Sequence, residues 1–445
     1  MKKVLVTGGA GFIGSHVVDA LLAMGCVVMS YDCLMPQVHP DSPSWPAYQP
    51  PRDGLFLHFG DVRDPRAMMF ALQDFRPDTV VHLAAMVGVG QSQHDAARYT
   101  SANVTGTANL LHLLLEYNSG VRLRREQAAQ LLAVVAVPAD GQSQEDAQAL
   151  YLERIAPTVA KLREQPDAPV EQVFVAGSMS SYGEGPYYAS DMISAIALGA
   201  LGVSYGMADD DVHSVDPTWE PSPAAWNPPG MTPAPAPEWW PMRPASVYAW
   251  TKQQQEVLAL LLWQTRGARE GLAVKVGRFF NAYGPNQSLT NPYTGVAAIF
   301  SARVKAGLQP VIFEDGGQLR DFTHVSDVAS AVLAILERGV PGTSYNVGTG
   351  TPTSVLQVAQ AICAGTDIQP EVTQVRRVGD VRHCYADASL LRALGWEPSI
   401  GVAEGLAGLR EWVGQQPEEL TLELLDRANA DLVKYGLLQA PEVVE

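Results

Sequence analysis

A tyrosine and a lysine four residues apart are the first candidates for chemistry in this sequence. Tyr248 and Lys252 belong to the run YAWTK, where an apolar-periodic helix is predicted to begin. Residues at i and i+4 share one helical face, so the phenol and the ammonium can point into the same cleft. A nearby cation favours the phenolate and lowers the pKa of the phenol, which makes a tyrosine usable as a general base. The same spacing also suits an ordinary pair on a helix surface, so the surrounding elements decide between the two.

A second candidate lies where a predicted strand ends in a serine-rich turn. The run VFVAGSMSSYG at 173–183 contains Ser178 and Ser180. Ligands of open α/β sheets bind at the carboxyl ends of the strands, and a hydroxyl there can hydrogen-bond a reacting hydroxyl and share its proton with Tyr248. Serines in turns often have only a turn-forming role. The strand-end position favours Ser178 as a catalytic residue, with Ser180 as a secondary contact.

Glycines near the N-terminus predict a binding site for a dinucleotide. The strand-like run Lys3–Thr7 leads into Gly8, Gly11 and Gly14, and an apolar-periodic helix follows. One glycine permits a tight turn, one lets a pyrophosphate approach the backbone, and one lets the helix lie close to the strand. The helix N-terminus offers free N–H groups and partial positive charge to phosphates. The alternative is a glycine turn that serves only packing.

An acidic residue after the second predicted strand bears on the choice of cofactor. The run 26–31 has strand character and is followed by Asp32. A carboxylate at this point can accept hydrogen bonds from the ribose hydroxyls of an adenosine, and it would repel a 2′-phosphate. We therefore expect the cofactor to be NAD rather than NADP.

The order of the predicted elements is typical of an α/β fold with a doubly wound parallel sheet. Strands and helices alternate over residues 1–118, which implies parallel strands joined by crossover helices. The strand-like runs there are Lys3–Thr7, Val27–Tyr31, Leu55–Phe59 and Thr79–Leu83. The helical patterns there are Phe12–Met24, Pro65–Phe75 and Asp95–Tyr117. Later predictions are a strand at Gln172–Ala176, a helix at Val247–Thr265 and a strand at Ala273–Phe280.

Two segments interrupt this alternation. Residues 119–169 are rich in Ala, Gln and Glu, without a strand pattern, and are interpreted as an inserted helical segment. Residues 184–245 are proline-rich, which excludes long regular elements, and their tryptophans need apolar cover. We expect an ordered flap over the substrate side of the cleft; the alternative is a surface excursion without a catalytic role. The tryptophans are Trp219, Trp226, Trp239 and Trp240.

These patterns divide the chain into a Rossmann-type NAD-binding domain and a smaller C-terminal α/β substrate domain, with two insertions in the former. The predicted division is residues 1–118 and 170–290 for NAD binding, with insertions at 119–169 and 184–245, then 291–415 mainly for the substrate, and 416–445 as a helical tail.

Composition limits the partners. The net charge of -17 argues against nucleic acid or an anionic membrane surface, so an anionic substrate needs locally placed arginines. No run is apolar enough to span a bilayer and no signal peptide is recognisable, so a cytoplasmic location is expected. The cysteines have no CxxC spacing, which favours reduced thiols over a disulfide framework or a metal site. They are Cys26, Cys33, Cys363 and Cys384.

Taken together, the motifs resemble the extended short-chain dehydrogenases/reductases of the NAD-dependent nucleotide-sugar epimerase/dehydratase family. The resemblance covers about residues 1–400 and rests on TGGAGFIGSH at 7–16, Asp32, GDV at 60–62, HLAA at 82–85, NVTGT at 103–107, SMSSYG at 178–183, YAWTK at 248–252, RFFNAYGP at 278–285, RDFTHVSDVA at 320–329 and GDVRH at 379–383. The chain is more closely similar to 4-epimerases of the dTDP-L-rhamnose 4-epimerase type in PQVHP at 36–40, GVGQS at 88–92, MRPASVYAWTK at 242–252 and NPYTGVAAIFSARV at 291–304.

The resemblance implies roles for individual residues. The pyrophosphate turn would consist of Gly8, Gly11, Phe12, Ile13 and Gly14. The other cofactor-binding residues would be Asp32 at the ribose, Asp61 and Val62 at the adenine, Lys252 at the nicotinamide ribose, and Leu83, Ala84, Ala85, Asn103, Tyr248 and Phe279 elsewhere. Ser178 and Tyr248 would be the catalytic hydroxyl and base.

On the substrate side, the resemblance implies that Asn281, Arg320 and Arg382 hold the phosphates and that Phe313 stacks on the nucleobase. Alternatively, Asn281 is a turn residue and the two arginines belong to structural ion pairs. No bound metal ion is expected. The protein is expected to form a homodimer.

The implied reaction is inversion of C4 of a nucleoside-diphosphate sugar, of the dTDP-L-rhamnose/6-deoxy-L-talose type, through a transient 4-keto sugar. Dehydratases of this group carry acidic residues in the serine turn, and decarboxylases a glutamate; Met179, Ser180 and Ser181 stand there instead. The alternatives are a dehydratase or decarboxylase on the same scaffold, and a non-catalytic NAD-binding regulator. The long segments 119–169 and 184–245 depart from the family's usual connections, which leaves substrate specificity open.

Overall fold

A computed structural model gives the fold of most of the chain. It describes residues 2–39, 42–134, 143–164, 168–189, 212–213, 231–289, 291, 295–377, 380–417, 433–436 and 438–439. The strands are β1 Lys3–Thr7, β2 Val27–Asp32, β3 Leu55–Phe59, β4 Thr79–His82, β5 Gln172–Ser178, β6 Tyr187–Ala189, β7 Val212–His213, β8 Met231–Pro233, β9 Ala273–Phe279, β10 Asn281–Tyr283, β11 Val311–Ile312, β12 Leu319–His324, β13 Thr343–Val347, β14 Pro352–Ser354, β15 Glu371–Val372, β16 Arg376–Arg377, β17 His383–Cys384 and β18 Leu438–Gln439.

The α-helices are α1 Phe12–Ala23, α2 Pro65–Phe75, α3 Val89–Ser92, α4 Ala96–Tyr99, α5 Gly106–Ala133, α6 Gln144–Glu164, α7 Val247–Leu262, α8 Ala268–Glu270, α9 Val296–Lys305, α10 Val325–Arg338, α11 Val355–Cys363, α12 Ser389–Ala393 and α13 Val402–Gly414. In the described residues, no helix combines the length and the apolar composition needed to cross a membrane.

A seven-stranded sheet of entirely parallel strands forms the centre, in the order β3-β2-β1-β4-β5-β9-β13. The order reverses direction between β1 and β4, and in such sheets the crevice at the carboxyl ends of these strands binds the ligand. The predicted doubly wound Rossmann fold is confirmed.

Helices cover both faces of this sheet, which is why its strands are almost continuously apolar. On one face, α1 and α10 pack through residues such as Val17 and Val332. On the other face, α2, α5 and α7 pack through residues such as Leu72, Leu114 and Ala259. The strand side chains between them, such as those of β1 and β4, are buried.

A smaller α/β unit follows in the C-terminal third of the chain. Its sheet contains β10, β12, β14 and β17. Its core joins α9, α11 and α13 through Phe300, Ile362 and Leu409, with Phe322 from the sheet. The buried carboxylate of Asp321 accepts hydrogen bonds from three backbone N–H groups, those of Thr349 and Gly350 in the turn after β13 and that of Ala386 after β17, which fixes this unit against the large sheet.

The helix predicted to end at Tyr117 is longer than expected. A π-helical segment, Thr100–Thr105, leads from α4 into α5, which continues to Ala133. The expected domain boundary at residue 118 therefore falls inside a helix. Apolar burial persists to Val121, and α6 then packs against the exposed continuation, where the Tyr151 hydroxyl donates to the Leu131 carbonyl at 2.9 Å.

The described ends of segment 184–245 lie against the C-terminal unit. The Gly185 N–H donates to the His383 carbonyl, and the Ala236 N–H to the Tyr385 carbonyl, both at 2.8 Å. Trp240 is buried, whereas Trp239 is exposed; Trp219 and Trp226 lie outside the described residues. Both ends are thus tied into the fold, and the expected flap over the substrate side stays a prediction.

Candidate functional site

A cavity of about 740 Å³ lies at the carboxyl ends of the central strands. It contains every predicted cofactor-binding residue except Asn103, together with Ser178. The lining members of that set are Gly8, Gly11, Phe12, Ile13, Gly14, Asp32, Asp61, Val62, Leu83, Ala84, Ala85, Tyr248, Lys252 and Phe279. The structure therefore brings the sequence-predicted cofactor and catalytic residues together around one space.

The glycine turn leaves no room for side chains. Gly8 has a positive φ of 70°, and a Cβ there would lie 2.7 Å from the Ala84 nitrogen. A Cβ on Gly14 would lie 2.0 Å from the Gly8 carbonyl oxygen. The N-terminus of α1 has no side-chain cap and no acidic residue in its first turn, so its N–H groups are available to an anion. This turn fits the pyrophosphate of a dinucleotide.

Asp32 lies at the cavity end next to the glycine turn. Its carboxylate accepts N–H bonds from Ala10 at 3.1 Å and from Leu34 at 2.9 Å. Burial raises the pKa of Asp32, and these bonds and the nearby His39 oppose that shift. A carboxylate held in this way fits the predicted ribose contact.

Asp61 is held by a partner that the sequence did not suggest. Its carboxylate pairs with the Arg63 guanidinium at 2.5 Å, and Arg63 also lines the cavity. Burial works against ionisation, but the hydrogen bonds from Arg63 keep the pKa of Asp61 below its ordinary value. The predicted adenine contact is therefore an ion pair.

The catalytic candidates meet at the ends of β5 and α7. Ser246 caps α7 by accepting the Ala249 N–H at 3.1 Å, which starts the helix directly before Tyr248. Tyr248 and Ser178 both line the cavity, and the Ser178 Oγ lies 2.8 Å from the Ser180 Oγ. A phenol beside hydroxyl groups is suited to moving a proton.

Lys252 is buried on the same helical face. It is only 4% exposed, and its Nζ donates to the Ala176 carbonyl at 2.5 Å. Burial lowers the pKa of Lys252 to about 7, although Glu256 opposes this shift. The ammonium is thus fixed by the same strand that provides Ser178.

The expected lowering of the phenol pKa is wrong. Burial raises the pKa of Tyr248, and the hydrogen bond to Ser178 only partly offsets it. The reason is that desolvation disfavours the phenolate, while Lys252 is directed to a backbone carbonyl and is itself easily deprotonated.

Asn103 has a different position from the one expected. It is fully buried behind the cavity wall, where its amide bonds both the N–H and the carbonyl of Met86, at 2.7 and 3.0 Å. Its Nδ2 also donates to the Thr251 Oγ1 at 2.9 Å. Its hydrogen-bonding groups are used inside the protein, so it positions the wall and α7 rather than facing the cofactor.

A buried chain of hydrogen bonds, which the sequence analysis did not identify, lies behind the cavity wall. His82 bonds the hydroxyls of Thr7 and Thr107 at 2.7 and 2.9 Å. The Thr107 hydroxyl donates to a backbone carbonyl, so it accepts from His82 Nε2, and Nδ1 accepts from Thr7. Burial, with the charge of Lys252, lowers the pKa of His82 to about 3. The motif HLAA at 82–85 was the available signal.

The residues predicted to hold the phosphates and the nucleobase lie outside the cavity lining, and two of them have protein partners. Arg382 is 2% exposed and pairs with Glu314 at 2.8 Å and Asp315 at 2.7 Å. Arg320 donates to backbone carbonyls, including those of Leu319 and Arg382 at 2.9 Å. The ion-pair alternative therefore describes Arg382 in this structure, and binding of the diphosphate stays a prediction.

The remaining substrate candidates, Phe313 and Asn281, form no ion pairs with described residues. The Arg377 guanidinium lies 5.8 Å from the centre of the Phe313 ring. The buried Oδ1 of Asn281 has no hydrogen-bond partner among the described residues. The same holds for Oε1 of Gln287, which is 6% exposed and lines the cavity. Gln287 is a ligand-facing candidate that the sequence analysis did not identify.

Two family models match the chain. The model for GDP-mannose 4,6 dehydratase matches residues 5–129, and the model for the NAD dependent epimerase/dehydratase family matches residues 224–348. The dTDP-L-rhamnose 4-epimerase of Burkholderia thailandensis is 32% identical over 433 residues, covering 96% of this chain and 97% of that protein. The UDP-glucose 4-epimerase of Mycolicibacterium smegmatis is 27% identical, covering 91% and 96%.

Solved structures show the same fold. The chain is similar to the UDP-glucose 4-epimerase of Thermus thermophilus in complex with NAD, with a TM-score of 0.62 and 26% identity over 93% of this chain and 100% of that one. The dTDP-glucose 4,6-dehydratase of Bacillus anthracis, with a TM-score of 0.59 and 18% identity over 95% and 100%, shares the fold.

Asp32→Asn is expected to relax discrimination against NADP. The substitution keeps the size of the side chain and removes the charge that repels a 2′-phosphate, so the affinity for NADP relative to NAD should rise about ten-fold or more. Titration of both cofactors measures the ratio. Asp53→Asn, on an exposed carboxylate, is the control. Equal affinities in the wild type would contradict the role of Asp32.

Lys252→Met is expected to change how stability depends on pH in NAD-free protein. The pKa of Lys252 is about 7 in the fold and about 10.4 when unfolded. Between these values the unfolded chain binds more protons, so wild-type stability gains up to about 1.4 kcal/mol per pH unit from this group as pH rises. Urea unfolding at pH 7 and 9.5 should show that the free energy of unfolding of the variant falls, relative to that of the wild type, at the higher pH. An equal pH dependence of the free energy of unfolding in the variant and the wild type would contradict the shifted pKa of Lys252.

Arg382→Ala is expected to lower the free energy of unfolding by about 3–5 kcal/mol, because two carboxylates lose their buried partner. Urea denaturation measures this change. Arg377→Ala is the control, since its pair with Asp380 is more exposed and should matter by about 1 kcal/mol or less. If Arg382→Ala kept its stability but bound nucleotide sugars poorly, the predicted phosphate contact would hold instead.

Proposed function

The chain belongs to the NAD-dependent epimerase/dehydratase family, and on this basis we propose that it inverts C4 of a nucleoside-diphosphate sugar through a transient 4-keto sugar. The observation that carries the proposal is the joint placement of Ser178, Tyr248 and Lys252 at one cavity that also contains the glycine turn and Asp32. The 32% identity to a dTDP-L-rhamnose 4-epimerase favours dTDP-L-rhamnose as the substrate. We further propose a cytoplasmic homodimer.

The side chains suit reversible proton transfer at a sugar hydroxyl. NAD, when bound, supplies reversible oxidation at C4. Tyr248 takes the proton of the 4-hydroxyl and later returns it, and Ser178, which lines the same cavity, hydrogen-bonds the same sugar oxygen. Lys252, when protonated, stabilises the phenolate, which counters the raised pKa of Tyr248. Rotation of the keto sugar within the site lets the hydrogen return to its other face.

The positions of the carboxylates favour epimerisation over elimination of water. Among the described residues that line the cavity, the acidic side chains are Asp32 and Asp61, both in the part assigned to the adenosine. Residues 179–181 carry no acid, and Ser181 is directed to the Ala249 carbonyl. A dehydratase needs a group that removes the C5 proton, and this wall does not provide one. Plain epimerisation is the reaction that these residues support best.

A panel of nucleotide sugars tests the proposal. Each sugar is incubated with the protein, and the C4 configuration is followed by NMR while the product mass is measured. We expect dTDP-L-rhamnose to equilibrate with its C4 epimer at unchanged mass. A product lighter by water or carbon dioxide would indicate the dehydratase or decarboxylase alternative, and no turnover with any sugar would indicate the NAD-binding regulator.

Tyr248→Phe is expected to lower kcat by about a hundred- to ten-thousand-fold, because only the proton-transferring oxygen is removed. Folding and NAD binding should be kept. Tyr151→Phe is the matched control, since its hydroxyl caps a remote helix. A variant that retained more than about a tenth of the wild-type rate would show that another group is the base.

A further inference from the structure

A short segment after β2 forms part of the wall of the NAD cavity. Within residues 33–39, the side chains of Met35, Pro36, Val38 and His39 line the cavity, together with Cys33. The segment follows directly on Asp32, the predicted ribose contact. A ligand in the cavity is therefore covered on this side by residues 33–39.

One side chain of this segment joins it to two other walls of the cavity. The Gln37 Nε2 donates to the Gln91 Oε1 at 2.9 Å and to the Asn291 Oδ1 at 3.1 Å. Gln91 donates back from its own Nε2 to the Gln37 Oε1 at 3.1 Å. Gln91 lies in α3, after the cofactor-lining end of β4, and Asn291 lies after β10 and itself lines the cavity. Three distant parts of the chain thus meet at one set of amide groups.

A second contact holds the same segment. The Arg98 guanidinium, which lines the cavity, donates to the Met35 Sδ at 3.1 Å. The neighbouring Tyr99 hydroxyl donates to the Gln91 Oε1 at 3.1 Å, and the Tyr99 ring stands edge-on to the Tyr248 ring at 6.4 Å. The attachment of residues 33–39 is therefore continuous with the support of the catalytic tyrosine.

We propose that Gln37, Gln91 and Asn291 form a clasp that holds residues 33–39 over bound NAD and sets the rate at which NAD leaves. For NAD to leave on this side, residues 33–39 must move away, and the three hydrogen bonds between these side-chain amides must break first. Slow release suits a reaction in which the cofactor takes up hydrogen from a sugar and returns it to that same sugar. The proposal rests on the NAD site and does not depend on which sugar is the substrate.

The test is exchange of bound NAD without any sugar present. Holoenzyme loaded with radiolabelled NAD is diluted into excess unlabelled NAD, and the label retained on the protein is followed by filtration. Removal of the Gln37 side-chain amide, which makes three hydrogen bonds, should speed the exchange of NAD about ten-fold or more. The variants are Gln37→Ala and Gln37→Glu, the latter keeping the size of the side chain while removing both donors.

Gln73→Ala is the matched control, since Gln73 is exposed on α2 outside the cavity lining. We expect its exchange rate to equal that of the wild type, and the NAD-free forms of both Gln37 variants to melt as the wild type does. If Gln37→Ala does not fold, Asn291→Ala removes a single bond of the clasp and should still speed exchange.

Unchanged exchange in the folded variants would overturn the clasp, and so would faster exchange matched by an equal loss of stability in the NAD-free forms. Either result would leave the epimerase proposal intact, because the assay contains no sugar. Conversely, absence of epimerisation with every nucleotide sugar would not alter the exchange rates on which the clasp depends.

Discussion

The buried ion pair between Arg278 and Glu256 is the interaction on which the site depends. Their side chains are 6% and 1% exposed and approach to 2.6 Å. Arg278 also donates to the Tyr182 hydroxyl at 2.5 Å and to the Glu238 carbonyl at 2.7 Å, while the Ser344 hydroxyl donates to Glu256 at 2.6 Å. One pair therefore joins the catalytic helix, the serine turn, segment 184–245 and two central strands. Such a pair is costly to bury and costly to break, so these elements hold one arrangement.

The same pair influences Lys252, the proposed catalytic lysine. Glu256 follows Lys252 by one helical turn on α7, and its carboxylate raises the pKa of Lys252 against the larger effect of burial. Because the effect of burial is the larger of the two, the pKa of Lys252 falls to about 7. A lysine of this kind changes charge near neutral pH, so the charge state of the site responds to whatever binds beside it.

The sequence predicted what is encoded locally. The helix Pro65–Phe75 was found in full because Asp64 caps it and proline occupies its first turn. The joint placement of Tyr248, Lys252 and Ser178 was predictable because helical spacing and strand ends place side chains in predictable directions; their catalytic roles stay a prediction. The long α5 was cut short in the prediction because its apolar periodicity fades after Val121, whereas packing of α6 sustains it.

The partners of side chains could not be predicted, since they depend on distant parts of the chain. Gln37 and Asn291 are separated by 254 positions, and nothing in either local sequence indicates the other. Arg382 matched a motif, yet the fold places two carboxylates beside it. Asn103 also matched a motif, but the π-helical segment that contains it directs its amide to Met86 and Thr251 rather than to the cavity.

The proposed reaction makes enclosure more important than access. A hydride leaves C4 and a proton leaves the 4-hydroxyl, and both return to the same sugar, so neither has to be exchanged with solvent. The structure agrees with this requirement: Lys252 is buried against Ala176, the Ser178 hydroxyl is paired with that of Ser180, and residues 33–39 line the cavity next to Asp32. A site that had to release a proton or water would need a path for it next to the base. Here the groups next to the base are hydroxyls and a buried ammonium, which favours a cycle that restores its own starting state.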